Sequence, residues 1–554
     1  MDEADALDGR NTKRVSPISP PMESPSAMSH ADKTSPKPLT PFEGSDFRTL
    51  IDERMASRGA HPFLIWEPFE GEGRTWTYAD FGDGVRRFAA GLQERGVRPA
   101  DRVLVHLDNC PEAVIAWLGC AYAGAVAVST NTRSSTDELA YFASHSGAVG
   151  AITQPRFAAM VKAAAPSLAW LAVTGTDCGA AAGPDVAGFE PFAAISADPA
   201  QLIERPHDPM APFGIQYTSG TTARPKAVLW THANALWGAR LSAMHEDLRP
   251  EDVHLVHLPL FHTNAQIYSV AAALWVGATV VVQPRFSASR FWPVSVKHGC
   301  TWTSMVPFCV RALLTQPRPA HHSYRFWGSG VCAPATDAHF GVRTIGWWGM
   351  TETITHGTIG SAHLANAPMS MGRPSQAYAI HVLDDDGQPV APGETGNLHV
   401  GGQRGVSLFL EYAGDPAATA AAFRDDGLFI TGDRVRLGHD GFLYFSDRAK
   451  DMLKVGGENV AASEIERVIA LVEGVAEVAV VGRKHPMLDE VPVAFVIPHA
   501  GTGQALAERI LSACKAQLAG FKHPHDIRLV ESLPRSTLEK VAKNQLRALL
   551  ADSP

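Results

Sequence analysis

Hydrophobic and polar positions along this chain follow several successive patterns. From about 47 to 305, short apolar runs alternate with stretches of helical spacing. Helical spacing covers 47–55, apolar runs lie at 63–66 and 76–78 around a glycine-rich turn at 71–73, and helical spacing returns over 80–96. A run at 103–105, a helix over 113–122 and a run at 125–128 follow, with further runs at 149–152, 170–173, 253–258, 279–282 and 302–305. Apolar runs alternating with helices predict parallel sheets covered by helices. Beyond 380 the runs at 380–383, 396–400 and 442–445 alternate apolar with polar residues between Asp/Gly turns, which predicts antiparallel β. Past Arg448 the pattern predicts a small α+β unit. It has helices from 463 and over 506–518, and strands at 475–481, 493–497 and near 527–530.

A chain of 554 residues with 45% hydrophobic content exceeds one ordinary core, so two or more domains are expected. The net charge of -9 argues against a nucleic-acid or anionic-membrane surface. No apolar run reaches a membrane span, and 274–282 reads as a buried strand with its approach. Seven cysteines without a CxxC pair suit free thiols in a reducing cytoplasm, the expected location. The histidines between 254 and 262 lack a neighbouring Cys or an HExxH pattern and read as structural or pocket residues rather than metal ligands. Residues 1–43 are rich in Pro and Ser and poor in large apolar residues, the composition of a disordered arm, and they lack a secretion-signal pattern.

The candidate chemistry centres on Tyr217-Thr218-Ser219-Gly220-Thr221-Thr222-Ala223-Arg224-Pro225-Lys226. A hydroxyl- and amide-rich turn between two strands can wrap a polyphosphate, because closely spaced N–H groups form an anion-binding concavity. It is not a P-loop, which needs Gly before the Lys and Ser or Thr after it; here Pro225 precedes Lys226 and Ala227 follows. Three more stretches follow in order: Trp348-Gly349-Met350-Thr351-Glu352-Thr353, Thr431-Gly432-Asp433, and the run from Asp447-Arg448-Ala449-Lys450 through Lys454 and Gly456-Gly457-Glu458-Asn459.

Together these stretches resemble the adenylate-forming superfamily of AMP-forming acyl-CoA ligases, luciferases and adenylation domains, over about 47–547. Among its branches the likeness is greatest to crotonobetaine/carnitine–CoA ligases, in the Thr-Ser-Gly-Thr-Thr-x-Arg-Pro-Lys, Gly-Met-Thr-Glu-Thr-Ile and Gly-Gly-Glu-Asn-Val segments. The resemblance implies an α/β fold. A large N-terminal AMP-binding domain, 44–446, would hold two helix-covered, parallel-rich sheets and a β-barrel-like subdomain. A small mobile α+β lid would cover 447–554, after the arm at 1–43.

It also implies ATP, Mg²⁺ and coenzyme A, and two half-reactions: acyl-adenylate formation, then thioester formation. On this reading Thr218, Ser219, Gly220, Thr221, Thr222 and Lys226 hold the β- and γ-phosphates, with Arg224 a further anion donor or a solvent-facing residue. Thr351 contacts the α-phosphate and Glu352 binds the metal. Trp348, where the family usually has Tyr, lies with Gly349 and Met350 against the adenine, opposite Gly328-Ser329-Gly330. Asp433 accepts the ribose hydroxyls and Arg448 adds a donor. In Pro534-Arg535-Ser536-Thr537-Leu538-Glu539-Lys540, Lys540 is the catalytic lysine by spacing, with Glu539 in place of the usual Gly and Lys543 the alternative claimant. Lys450 is the hinge, and Lys454, Gly456 and Gly457 line the coenzyme A channel after the lid turns. Ala223 and Ala227 stand where the family usually has Gly.

Pro259-Leu260-Phe261-His262 resembles the segment lining the carboxylate pocket, to which Trp237, Trp275, Phe308 and Val331 are further candidates. The partner expected is a small carboxylic acid, with no nucleic acid, no membrane span, and a homodimer kept open as the assembly. A trimethylammonium acid would favour an aromatic cage, and 12 Trp supply one, though fatty, aryl or steroid acids suit them equally. The alternative function is a stand-alone adenylation enzyme that loads a separate carrier protein. A luciferase-like oxidase and a non-catalytic binding homologue are the further classes weighed.

Overall fold

A computed structural model describes residues 40–181, 186–218, 225–448, 451–455, 458–486, 488–502, 505–518, 520–535 and 541–551. The disordered arm expected at 1–43 lies outside them apart from its last four residues, of which Phe42 is already buried against the core.

Among the described residues two large sheets carry most of the chain up to Pro374, and Glu411–Tyr412 returns to one of them. One runs in the order Glu411–Tyr412, Lys226–Thr231, Pro212–Thr218, Val126–Ser129, Arg102–His106, Ala148–Thr153, Trp170–Val173, Glu190–Pro191. The other runs Arg373–Pro374, Thr358–Ile359, Arg343–Trp348, Phe326–Ser329, Trp302–Ser304, Val253–Val256, Thr279–Val282, Pro62–Trp66, Arg74–Thr77. The inner strands of both pair parallel, and antiparallel strands close every edge but one, where Glu190–Pro191 pairs parallel to Trp170–Val173. Parallel strands are covered on both faces, so their residues are apolar without alternation. Val126–Ser129 and Thr279–Val282 are buried at every position.

The covering helices begin where polar caps permit. Thr77 and Asp80 form a capping box on Tyr78–Glu94, and Thr231 and Asn234 one on His232–His245. The strand approach expected from 274 is helical instead: π-helical backbone at Asn264–Ala271 runs into Ala272–Val276 and stops at Gly277, φ 85°, before the strand Thr279–Val282. Ala265 to Leu274 is buried on all sides, and an apolar run with no polar face does not distinguish helix from strand. One contiguous core spans both sheets, with Trp230, Trp302 and Trp327 fully enclosed.

The barrel-like part expected after 380 is a four-stranded antiparallel sheet: Ala379–Leu383, Thr395–Gly401, Phe429–Leu437, Leu443–Arg448. The C-terminal residues build their own sheet from Glu458–Ala461, Met452–Val455, Asp489–Pro498 and Val475–His485, with Asp526–Leu529 parallel to Asp489–Pro498. Ala462–Ala470 and Leu506–Gln517 cover one face around Ile465, Val480 and Ile510. Lys543–Ala551 covers the other through Leu546 and Leu550 against Val481 and Phe495.

Candidate active site

The hairpin Pro212–Thr218 and Lys226–Thr231 sets the Cα of Thr218 opposite that of Lys226. Ser219, Gly220, Thr221, Thr222 and Arg224, on the loop joining them, lie outside the described residues. Glu411–Tyr412 adds to the Lys226 strand as an edge, with Val228 beside Tyr412. The ammonium of Lys226 stands 4.5 Å from the centre of the Tyr412 ring, and the phenol of Tyr412 donates to Oε1 of Glu352 at 2.9 Å. Burial, and behind it the Glu352 carboxylate, pushes the Tyr412 phenol far above its ordinary value, so it stays protonated and donating.

Glu352 belongs to the short turn Thr351–Thr353, which leaves the end of the strand Arg343–Trp348. Neighbouring elements hold this turn by its backbone. The Trp230 indole donates to the Thr351 carbonyl at 3.0 Å, and the Phe409 N–H donates to that of Glu352 at 2.9 Å. Phe409 is itself fixed from the helix cap. Thr231 donates to the Gly405 carbonyl at 2.6 Å, and Asn234 donates to those of Val406 and Leu408 at 2.7 and 2.9 Å. The cap of His232–His245 thereby positions the carboxylate of Glu352, 4% exposed. After the turn, Ile354 has φ 61° and ψ -43°, and the Thr355 N–H donates to the Thr353 carbonyl at 2.6 Å. Positive φ is rare for a β-branched residue, so this segment is strained immediately beside Glu352.

The Trp348 indole donates to Oδ2 of Asp433 at 2.8 Å, both residues being nearly enclosed. The Asp433 N–H donates to the Thr431 hydroxyl, and Gly432 takes φ 73° in this turn. In the ladder Asp433 pairs with Arg448, so the backbone brings these two together as their spacing suggests. Glycines shape the surroundings. A Cβ on Gly349 would lie 2.5 Å from the Tyr268 hydroxyl, and one on Gly328 would lie 1.6 Å from the Trp347 ring. The missing side chain of Gly328 is therefore filled by Trp347, whereas Gly330 faces open space. Ser329 ends the strand Phe326–Ser329 between them, and Met350 precedes the turn, its N–H donating to the Thr353 hydroxyl.

His262 is half-buried, its ring 4.7 Å from that of Phe261, and the following Thr263 reaches Thr351 with its hydroxyl at 3.4 Å. Trp237 donates to the Tyr378 hydroxyl at 3.3 Å, and Tyr378 donates to the Thr353 carbonyl. Val331 is half-buried just past Gly330, against Gly346. Lys454 is exposed in the C-terminal sheet, with its N–H on Glu490 at 3.0 Å. Lys450, Gly456, Gly457, Glu539 and Lys540 lie outside the described residues, and nothing is described of the Arg448 side chain.

The sequence missed Tyr412, Tyr378 and the buried amides of Gln216 and Gln266, and also a cationic cleft of about 240 Å³. Arg133, Arg156 and Arg285 line it together with Asp108, Cys178 and Phe261. Its floor is tied: Thr132 donates to Asp108 at 2.6 Å, Cys178 to Asp108 at 3.2 Å, and Arg285 to the Cys178 sulfur at 3.0 Å. Asn109 bonds the Leu258 carbonyl and the Leu260 N–H, joining this cleft to the segment that carries His262.

This fold, with a buried carboxylate turn joined through Tyr412 to Lys226 and an indole–carboxylate pair on the strand before that turn, marks a nucleotide-using enzyme. The chain belongs to the AMP-binding enzyme family, whose model matches residues 51–412, while the AMP-binding enzyme C-terminal domain matches 464–540. It is 34% identical over 522 residues to a crotonobetaine/carnitine–CoA ligase of Escherichia coli, covering 91% of this chain and 99% of the relative. ATP-bound MatB from Rhodopseudomonas palustris superposes with a TM-score of 0.79 at 27% identity, covering 91% of this chain and 99% of that one. O-succinylbenzoate coenzyme A synthetase from Bacillus subtilis, in complex with ATP and a magnesium ion, gives 0.76 at 27% identity over 91% and 99%.

The donors gathered here, the Glu352 carboxylate and the Thr351 hydroxyl, are hard oxygens that suit a magnesium ion carrying phosphate. Among the described residues no helix is long and apolar enough to cross a membrane.

Proposed function

We propose that this protein is an ATP-dependent, AMP-forming carboxylate–CoA ligase that works through an acyl-adenylate. The observation that carries the proposal is that Lys226 and Glu352 meet on one residue, Tyr412, the ammonium over its ring and the carboxylate at its hydroxyl. An ammonium and a carboxylate one ring apart suit a magnesium–triphosphate, and the relatives named as CoA ligase and coenzyme A synthetase supply the reaction class.

A carboxylate is a poor acylating agent because oxide would have to leave. In the first half-reaction the substrate carboxylate attacks the α-phosphorus of ATP, and pyrophosphate leaves. Two anions meet, so the site must supply fixed cations and donors beforehand. Thr218, Ser219, Gly220, Thr221, Thr222 and Lys226 hold the β- and γ-phosphates. Thr351 donates to the α-phosphate, and Lys540 bridges it and the carboxylate. Magnesium, when bound, would be held by Glu352 and phosphate oxygens and would neutralise the charge gathered there. Asp433, fixed by the Trp348 indole, accepts from the ribose hydroxyls with help from Arg448. The adenine lies between Trp348-Gly349-Met350 and the open side at Gly330, beside Gly328 and Ser329.

In the second half-reaction the thiol of coenzyme A attacks the acyl carbon and AMP leaves. The C-terminal lid, from 447 on, turns about Lys450, withdraws Lys540 and brings Lys454, Gly456 and Gly457 to the thiol channel. The three arginines of the 240 Å³ cleft offer a seat for the phosphates of coenzyme A. The acid is held near His262, Trp237 and Val331 by an enzyme that acts in the cytoplasm. Because Trp237 and Tyr378 stand together and the named relatives are crotonobetaine/carnitine–CoA ligases, a trimethylammonium acid heads the candidates.

The test is acid-dependent AMP release from ATP, with and without coenzyme A, across carnitine, crotonobetaine, short and medium fatty acids, aryl acids and a bile acid. Release that needs one acid and coenzyme A together supports the ligase. Acid-dependent pyrophosphate exchange indifferent to coenzyme A would favour loading of a carrier protein.

A further inference from the structure

Behind Thr351 lies a line of buried polar side chains that the reaction outlined above does not use. The Thr263 hydroxyl is 3.4 Å from that of Thr351 and donates to Oε1 of Gln216 at 2.8 Å. Nε2 of Gln216 donates to Oε1 of Gln266 at 2.6 Å, and Nε2 of Gln266 donates to the Ser129 hydroxyl at 3.0 Å. Thr263, Gln216, Gln266 and Ser129 are 7%, 4%, 3% and 6% exposed. No polar atom of the four is buried without a partner.

Three different pieces of chain supply these groups. Ser129 ends the strand Val126–Ser129, and Gln216 lies beside it in parallel register on Pro212–Thr218. Gln216 is two residues before Thr218, so both side chains share one face of the strand that enters the phosphate loop. Gln266 sits in the π-helical segment Asn264–Ala271, a rare backbone form frequent at functional sites, and Thr263 just before it. Two primary amides in a strand-and-helix core are costly unless every hydrogen bond is made, and Met or Leu would fill either place without that demand. These bonds instead converge on Thr263. A hydroxyl has one proton, and that of Thr263 is shared between Oε1 of Gln216 at 2.8 Å and, more weakly, the Thr351 hydroxyl at 3.4 Å, which accepts it. Because Thr351 accepts there, its own proton stays free for an anionic phosphate oxygen.

We infer that Gln216 and Gln266 are positioning residues. Acting through Thr263, they fix the place and the donor polarity of the Thr351 hydroxyl for the adenylation step. The inference rests on the proposed contact of Thr351 with the α-phosphate. Misplacement of a positioned group by an ångström or so costs up to about 10²-fold in rate.

The test measures acid-dependent ATP–pyrophosphate exchange on the full-length enzyme carrying Q216M, T263V, T263S, T351V and the double change Q216M/T351V. Q216M and T263V are each expected to lower exchange by about 10- to 100-fold, with the loss in kcat rather than in the KM for ATP. T263S, which keeps the hydroxyl, recovers exchange relative to T263V. Q216M/T351V is no slower than T351V, because the relay has nothing left to position. Full additivity of Q216M with T351V, or unchanged exchange in both Q216M and T263V, overturns the inference while leaving the role of Thr351 intact. Unchanged exchange in T351V overturns the reading of Thr351 and the inference with it. Should Q216M fail to fold, T263V and T263S combined with T351V decide the same point.

Discussion

The phenol of Tyr412 donates to Oε1 of Glu352 across 2.9 Å, while its ring carries the Lys226 ammonium 4.5 Å from the centre. One residue therefore spaces the cation proposed to hold phosphate from the carboxylate proposed to hold magnesium. Tyr412→Phe keeps the ring and the cation contact but deletes the donor to a nearly enclosed carboxylate. A hydrogen bond to a charged group is worth about 1.5–3 kcal/mol, so adenylation is expected to fall by roughly 10- to 100-fold. The magnesium titration of pyrophosphate exchange is expected to shift with it. A variant that matches the parent at all magnesium concentrations would separate Tyr412 from the metal.

Gly328 and Gly330 sit two residues apart and answer different questions. A Cβ at Gly328 would fall 1.6 Å from the Trp347 ring, whereas at Gly330 nothing lies within 4 Å. Gly328→Ala must push Trp347 aside, at a cost of about 1–3 kcal/mol typical of overpacking, visible as a lower denaturant midpoint. Gly330→Ala is expected to leave that midpoint unchanged and to raise the KM for ATP or the acid. If Gly330→Ala alters neither constant, no ligand passes that face.

The parallel sheets and the later antiparallel region were legible because each obeys a short-range period: apolar runs between helices, then alternation between turns. The candidate site was legible where its residues are adjacent in sequence, as in Trp348 to Glu352 and Thr431 to Asp433. What escaped depends on distant pairings. Tyr412 belongs to a two-residue edge strand, Glu411–Tyr412, and nothing local announces that it will cover Glu352. The amides of Gln216 and Gln266 looked like isolated polar residues in apolar segments, and only the packed sheet shows them bonded to each other. At Gly328 the sequence suggested a backbone opened to a flat ring; the flat ring found there is the protein's own Trp347. Helix and strand were indistinguishable between 265 and 274, where enclosure on every side leaves no polar face to set a period.

Lys540 and Lys450 are assigned from sequence, and their proposed roles separate the half-reactions. Lys540→Ala is expected to lower adenylation by about 10²–10³-fold, the usual effect of losing one preorganised donor. Thioester formation from synthetic acyl-AMP is expected to persist. Lys450→Pro, which fixes φ at the proposed hinge, is expected to do the reverse and stall after the adenylate. Equal loss of both half-reactions in Lys540→Ala would move the catalytic role elsewhere, Lys543 being next in line.

Enclosed histidines make stability depend on pH in a definite direction. Burial lowers His106 from its ordinary 6.5 to about 4, and His232, His254 and His257 to about 3. Each is neutral in the folded protein above those values but takes up a proton near 6.5 once unfolded. Between the two values the unfolded chain binds more protons, so stability rises with pH. The contribution is complete above pH 6.5 and is lost progressively as pH falls towards 3–4. By pH 5 each histidine has removed roughly 2 kcal/mol, at 1.36 kcal/mol per unit. Asp46 adds nothing in this window. Burial works to raise its carboxyl, but the Arg48 hydrogen bond and the charges of His232, Arg48 and Arg205 outweigh it and hold it at about 2, so it loses its contribution only below pH 4. Calorimetric unfolding is expected to show a Tm that is level above pH 7 and falls steeply between pH 6.5 and 5, with net uptake of several protons on unfolding near pH 5. A Tm unchanged from pH 7.5 to 5 would mean that these side chains meet water or gain charge partners in the folded enzyme.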